Sequence, residues 1–110
     1  MRTLLLSVLL LLAACQSQPA LAPLPEWQSP RGREHADLGR IIDLRSGAHL
    51  TPEQLVARLA AAPRVLVGEQ HDNPDHHALQ LWLLRALEAR RPQGSLLLEM
   101  LAASSSRSTT

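Results

Sequence analysis

Two short apolar runs, each followed by a glutamate, most constrain the fold of this chain. Residues 64–67 lead into Glu69, and residues 95–98 lead into Glu99. Runs this short, without polar alternation, are typical of strands buried on both faces of a parallel sheet. Between them, residues 74–91 have the apolar spacing of a long helix that begins with proline and ends before proline and glycine. The sequence therefore predicts a β-α-β unit with a right-handed crossover.

A strand pair and a first helix are predicted before this unit. Residues 39–44 and residues 49–50 are candidate strands on either side of a turn. Thr51-Pro52-Glu53-Gln54 has the residues of a capped helix start, and Pro63 ends that helix. The order strand, helix, strand, helix, strand predicts an α/β fold, the N-terminal half of a parallel-sheet α/β domain, following a signal peptide and a Pro-rich tether.

The N-terminus has the pattern of an exported lipoprotein. Residues 4–12 form an apolar run that suits a signal peptide and is too short to cross a bilayer, which takes about 20 residues. The run ends in Leu12-Ala13-Ala14-Cys15, which resembles the bacterial lipobox: small residues permit cleavage, and the thiol receives the lipid. We expect a signal peptide over residues 1–14, acylation (palmitate) at Cys15, and a membrane anchor in the cell envelope. Gln16 after the cysteine favours the outer membrane.

The remaining chain divides into three predicted parts. Residues 15–35 contain the lipidated cysteine and a Pro-rich linker, in which Trp27 either docks on the domain or stays exposed. Residues 36–101 form the partial α/β domain. Residues 102–110 are Ser-rich and lack a periodic apolar signal, so we expect a truncation or a frameshift there.

Composition excludes several classes of partner. All 11 basic residues are arginine, and the net charge of +1 falls to zero once Arg2 is removed with the leader, which argues against nucleic acid as a partner. There is no Tyr or Phe and there are two Trp, so no aromatic platform exists for stacking bases. A single Cys excludes an intrachain disulfide framework and a multi-cysteine zinc site.

A polar segment after the first apolar run holds the candidate ligand-binding residues. Residues 68–77 contain three of the five histidines and lie where a strand should end, the edge at which α/β sheets bind ligands. Glu69 and His71 are two residues apart and point to one side of an extended chain, so both are candidate metal ligands. Glu99 ends the next predicted strand and can converge with Glu69. Such a set can hold a divalent metal or divide acid and base roles; alternatively, Glu69 caps a helix or pairs with an arginine.

His76 and His77 occupy the first turn of the long helix, where free N–H groups favour an anion such as a propionate or phosphate. Adjacent helical residues point about 100° apart, so the two histidines cannot easily face one ligand. We expect one of them to bind and the other to be solvated or to cap the helix. His35 and His49 lie outside the segment and receive no role.

These motifs together resemble the ChaN-type haem-binding lipoproteins of iron-regulated loci. The resemblance is carried by residues 65–74, His76-His77, Gln80 and residues 97–100, and it is supported by the lipobox and the strand around residues 41–43. It implies an outer-membrane lipoprotein that binds haem for iron acquisition, with a homodimer in full-length relatives. The candidate residues for binding haem or iron remain those of the polar segment and the strand ends: Glu69, His71, His76, His77 and Glu99. The family is thought to ligate haem iron through a tyrosine, which this chain lacks.

The Gly-Glu-x-His element at residues 68–71 also occurs in the wider group that contains erythromycin esterases and TraB-like metalloproteases. A metal-dependent hydrolase, with zinc as the alternative cofactor, is therefore the second hypothesis. An inactive fragment is the third.

Overall fold

The computed structural model describes residues 19–92 and 94–98. The predicted signal peptide, Cys15, Glu99 and the predicted tail lie outside the described residues. Four elements follow one another along the described chain: β1 (Ile41–Ile42), β2 (His49–Leu50), α1 (Pro52–Ala61) and α2 (Pro74–Glu88).

Strands β1 and β2 form a small antiparallel hairpin, with Ile41 opposite Leu50 and Ile42 opposite His49. Gly47 adopts a φ of 73°, a conformation that glycine takes at little cost, and its N–H donates to the Asp43 carbonyl at 2.7 Å. The predicted strand pair and its turn are confirmed, although β1 is shorter than the predicted range 39–44.

Helix α1 begins with the capping box that its sequence predicts. The Thr51 hydroxyl accepts the Gln54 N–H at 3.2 Å, and the Gln54 side-chain oxygen accepts the Thr51 N–H at 2.9 Å. These two bonds satisfy backbone donors that have no partner within the helix. One face of the helix buries Val56 completely and packs Leu59 beside it.

Helix α2 begins at Pro74, as predicted, with Asn73 as its cap: the Asn73 side chain accepts the Asp75 N–H at 3.0 Å. It ends at Glu88 rather than at the predicted residue 91, because the N–H groups of Arg90 and Arg91 turn back to the Leu87 carbonyl. Trp82, Ala86 and Leu87 on α2 and Val56 on α1 form the buried core. Neither helix is long and apolar enough to cross a bilayer, and the same holds for the rest of the described chain.

The N-terminal part of the described chain, residues 19–29, runs along both helices, and we call it the strap. Leu21 and Leu24 pack on the core, and the Trp82 indole N–H donates to the Ala22 carbonyl at 2.9 Å. The Asp75 carboxylate accepts the N–H groups of Gln28 at 2.6 Å and Ser29 at 3.0 Å. Over these residues the predicted Pro-rich linker is packed on the domain.

The parallel sheet that the apolar runs predict is not confirmed. Residues 64–67 and 95–98 have no regular secondary structure, and the hairpin is the one sheet among the described residues. Leu66 is 91% exposed and Leu97 is 92% exposed, whereas the prediction placed both runs in a buried sheet. A parallel strand is stable only between neighbouring strands and under helices on both faces. Here α1 and α2 pack against each other and the strap. Val65 of the first run contacts their core, while Leu66 and Leu97 stay exposed.

Candidate functional site

The loop between the first apolar run and α2 brings the predicted site residues together. The Asn73 N–H donates to the Gln70 carbonyl at 3.0 Å, and this turn folds the loop back toward the first turn of the helix. Glu69 and His71 in the loop therefore lie close to His77 in the first turn of α2.

Glu69 is the centre of this cluster. Its Oε1 accepts a hydrogen bond from His71 Nδ1 at 2.7 Å, and its Oε2 lies 3.1 Å from His77 Nδ1. His77 Nε2 donates to the His71 carbonyl at 2.9 Å. The Glu69 side chain is 17% exposed, while the two histidines are half-exposed. The carboxylate is thus held between two imidazoles at the edge of the fold.

The electrostatics of the cluster favour the ionised carboxylate. The hydrogen bond from His71 is the main reason that the pKa of Glu69 lies below its ordinary value of 4.5. Burial acts in the opposite direction, and the nearby His77 ring lowers the pKa further. Glu69 is therefore a hydrogen-bond acceptor that orients its histidine neighbours.

Hydrogen bonding assigns different tautomers to His71 and His76. His71 Nδ1 donates to Glu69, which leaves the lone pair of the neutral ring on Nε2. Metal-binding histidines use this arrangement, in which a carboxylate holds the ring nitrogen that is not ligated. His76 Nδ1 instead accepts the Gln70 N–H at 2.9 Å, so its neutral ring carries the proton on Nε2. His71 thus has the tautomer of a ligand, and His76 has the tautomer of a hydrogen-bond donor.

The predicted divergence of His76 and His77 is confirmed by their contacts. His77 joins the Glu69 cluster, whereas His76 lines a cavity of about 610 Å³ between the strap, the β1 region and α2. The cavity wall is largely apolar and includes Trp27, Trp82, Leu79 and Leu83. Its volume falls in the range of ordinary cofactor sites, about 300–1,000 Å³.

The structure brings together only part of the predicted metal site. Glu69 and His71 are hydrogen-bonded to each other, so the two side chains form a pair instead of opening toward one ion. No group of three or more His, Cys, Asp or Glu side chains within residues 19–92 and 94–98 is arranged to hold a metal. Glu99, the predicted partner of Glu69, lies outside those ranges.

At the cavity, sequence reasoning missed Asp75 and left the placement of Trp27 open. Asp75 is buried, and the N–H groups of Gln28 and then Ser29 hold its pKa below the ordinary value of 3.8, against the effect of burial. Trp27 packs against Gly39, where a Cβ would lie 3.3 Å from the indole ring. Gly39 lies twelve residues after Trp27 in irregular chain, so no periodic pattern in the sequence links the two residues.

An apolar cavity beside a histidine–carboxylate cluster is the kind of site that takes an apolar cofactor with a polar or metal-bearing part. The sequence model of the family described as haem-binding uptake, Tiki superfamily, ChaN matches residues 55–108. The matched segment contains α2, most of α1 and the whole Glu69 cluster, and the match supports the resemblance found in the sequence. Among curated proteins and solved structures, none matches the chain significantly.

Proposed function

We propose that this chain is a haem- or iron-binding lipoprotein of the cell envelope, held in the outer membrane through Cys15 and serving iron acquisition. The observation that carries the proposal is the match to a haem-binding uptake family over the segment that holds the cluster and the cavity-lining helix. The leader pattern at residues 4–15 supports the membrane anchor, and the single cysteine of the chain is the residue that the anchor would use.

The described residues fit a haem group in two respects. The apolar cavity, with two tryptophans in its wall, suits a flat hydrophobic macrocycle. His71, held by Glu69, has the tautomer with which imidazole ligates iron. When bound, haem would supply an iron centre, and His71 would hold it in this proposal. Glu69 would orient the His71 ring through its hydrogen bond, and His77 would bond the His71 carbonyl.

A haemin titration of the full chain tests the proposal. His71→Ala should weaken haemin binding by about tenfold or more, the size of effect seen when the support of a metal ligand is lost. His49→Ala is the matched control, because His49 lies on the exposed hairpin away from the cluster. The measurement is the Soret band in one detergent for both variants. Equal affinities for the two variants contradict the assignment of His71.

The same samples distinguish the alternatives. Uptake of zinc together with ester turnover, without a Soret shift, would support the hydrolase hypothesis. Absence of both would identify an inactive chain. No contact among the described residues favours either alternative over haem.

The anchor is tested separately at Cys15. Cys15→Ala should leave the precursor uncleaved after Ala14 and without lipid, because the thiol is the group that is acylated. Cells are labelled with a fatty-acid analogue and the protein is followed on a gel and in membrane fractions. Label that persists in the variant overturns the lipoprotein proposal and leaves the haem proposal intact.

A further inference from the structure

The cavity has an uneven arrangement of charges around its apolar wall. Its two carboxylates are already engaged: Asp75 accepts N–H groups of the strap, and Asp37 pairs with Arg40 at 3.2 Å. Arg31 also lines the cavity, and within the described part of the chain its guanidinium makes no hydrogen bond or ion pair. Among the ionised side chains that line the cavity, the Arg31 guanidinium is therefore the one without a hydrogen bond or ion pair to a described residue.

Both histidines that line the cavity present donors. The Asp37 N–H donates to His35 Nδ1 at 3.1 Å, and the Gln70 N–H donates to His76 Nδ1 at 2.9 Å. A neutral ring whose Nδ1 accepts a hydrogen bond carries its proton on Nε2. Neither ring in this state offers a lone pair to a metal, but each offers an N–H to an anion. The cavity thus combines one free guanidinium and two imidazole N–H groups with an apolar wall.

We propose that this cavity binds the carboxylate end of an amphipathic tetrapyrrole, with Arg31 and His76 as carboxylate-binding residues and no iron ligand among them. The inference rests on the proposed function and goes beyond it by assigning iron ligation and carboxylate binding to different residues. His71 in the Glu69 cluster has the ligand tautomer, whereas His76 and His35 have the donor tautomer. The unpartnered guanidinium and the two imidazole N–H groups favour a ligand with an apolar body and one or two carboxylates over a neutral lipid or a cation.

The tryptophans of the chain provide an intrinsic fluorescent probe for this cavity. Its two tryptophans, Trp27 and Trp82, both line the cavity, and there is no tyrosine or phenylalanine. Intrinsic fluorescence therefore originates at this cavity, and the variants show whether a quenching porphyrin binds there. The full chain is titrated with three porphyrins: haemin, iron-free protoporphyrin IX and the dimethyl ester of protoporphyrin IX, which has no free carboxylate.

We expect the variants to lose affinity for porphyrins that have free carboxylates, whether or not the porphyrin contains iron. Arg31→Gln and His76→Ala should each weaken binding of haemin and of protoporphyrin IX about three- to tenfold, as expected for one charge-assisted hydrogen bond in a partly exposed site. Binding of the dimethyl ester should be unchanged in both variants, and the Soret maximum of the haemin complex should not move. Arg45→Gln and His49→Ala, both outside the cavity, should match the wild-type chain.

Two results overturn the inference while leaving the proposed function standing. If the wild-type chain binds the dimethyl ester as tightly as protoporphyrin IX, the cavity does not recognise carboxylates. If His76→Ala weakens haemin alone and shifts its Soret maximum, His76 is an iron ligand. Absence of quenching by any porphyrin overturns both proposals. Arg31 is exposed, so its variant tests the carboxylate site even if His76→Ala perturbs the fold.

Discussion

Individual side chains in the 69–77 segment are distinguished by which of their atoms are already engaged. Spacing along the sequence predicts that Glu69 and His71 share a side and that His76 and His77 diverge, and the contacts agree with both predictions. Spacing cannot predict that Gln70 donates its N–H to His76, because that bond depends on how the loop turns before the helix. Such bonds determine the tautomer of each ring. The tautomer in turn determines whether the ring can bind a metal or donate a hydrogen bond.

Asp43 gives a prediction at the same scale. The Arg45 N–H and the Arg58 guanidinium, 2.6 Å away, hold the pKa of Asp43 below its ordinary value of 3.8 and tie the hairpin to α1. A carboxyl whose pKa is lower in the folded chain stabilises the fold above its unfolded pKa, and this contribution is lost as the pH falls through the folded pKa. Asp43→Asn should therefore be less stable than the wild-type chain at pH 7, with the difference shrinking below pH 4.

Urea unfolding followed by circular dichroism from pH 7 to pH 3 measures this difference. Asp72→Asn is the matched control, since Asp72 is exposed and lies in the loop before α2. A difference between wild-type chain and Asp43→Asn that stays constant over the whole range would show that the carboxylate charge is not what joins the hairpin to the helix.

At the scale of elements, the sequence predicts those parts whose causes are local. The capping box at Thr51 and the Asn73 cap involve groups within three residues, so their residue types identify both helix starts. The hairpin likewise follows from a turn glycine between short apolar pairs. The two helices and the hairpin were predictable for this reason.

Elements whose stability depends on distant partners were not predictable. Residues 64–67 have the composition of a buried strand, but a strand exists only when another segment pairs with it. The strap is held by Asp75 and Trp82, which lie 46 to 60 residues further along the chain. Proline-rich composition predicts its extended backbone and says nothing of where it packs. The Glu69 cluster forms without the predicted parallel sheet, because its contacts lie within the loop and the first turn of α2.

At the scale of the whole molecule, stability is concentrated in a small core. Val56 has no exposed surface, and Trp82, Ala86 and Leu87 complete the core with the strap beside them. Val65 packs on this core, but the other large apolar side chains of the two runs lie outside it, with Leu66 and Leu97 almost fully exposed. Exposed apolar segments with unpaired backbone groups favour association between chains. Folding and association therefore depend on different residues.

Two substitutions separate these properties. Val56→Ala should destabilise the fold by about 1.5–3 kcal/mol, because it removes two buried methyl groups and leaves a cavity; this is a large share of a typical domain stability of about 5–15 kcal/mol. Leu97→Ser should change the stability by less than about 0.5 kcal/mol, as is usual for an exposed position, and should reduce self-association. Hydrogen exchange across α1 and α2 should accelerate in the first variant only, while sedimentation should change in the second. If Leu97→Ser unfolds the chain as much as Val56→Ala does, residues 95–98 are buried in solution, and the predicted parallel sheet forms there after all.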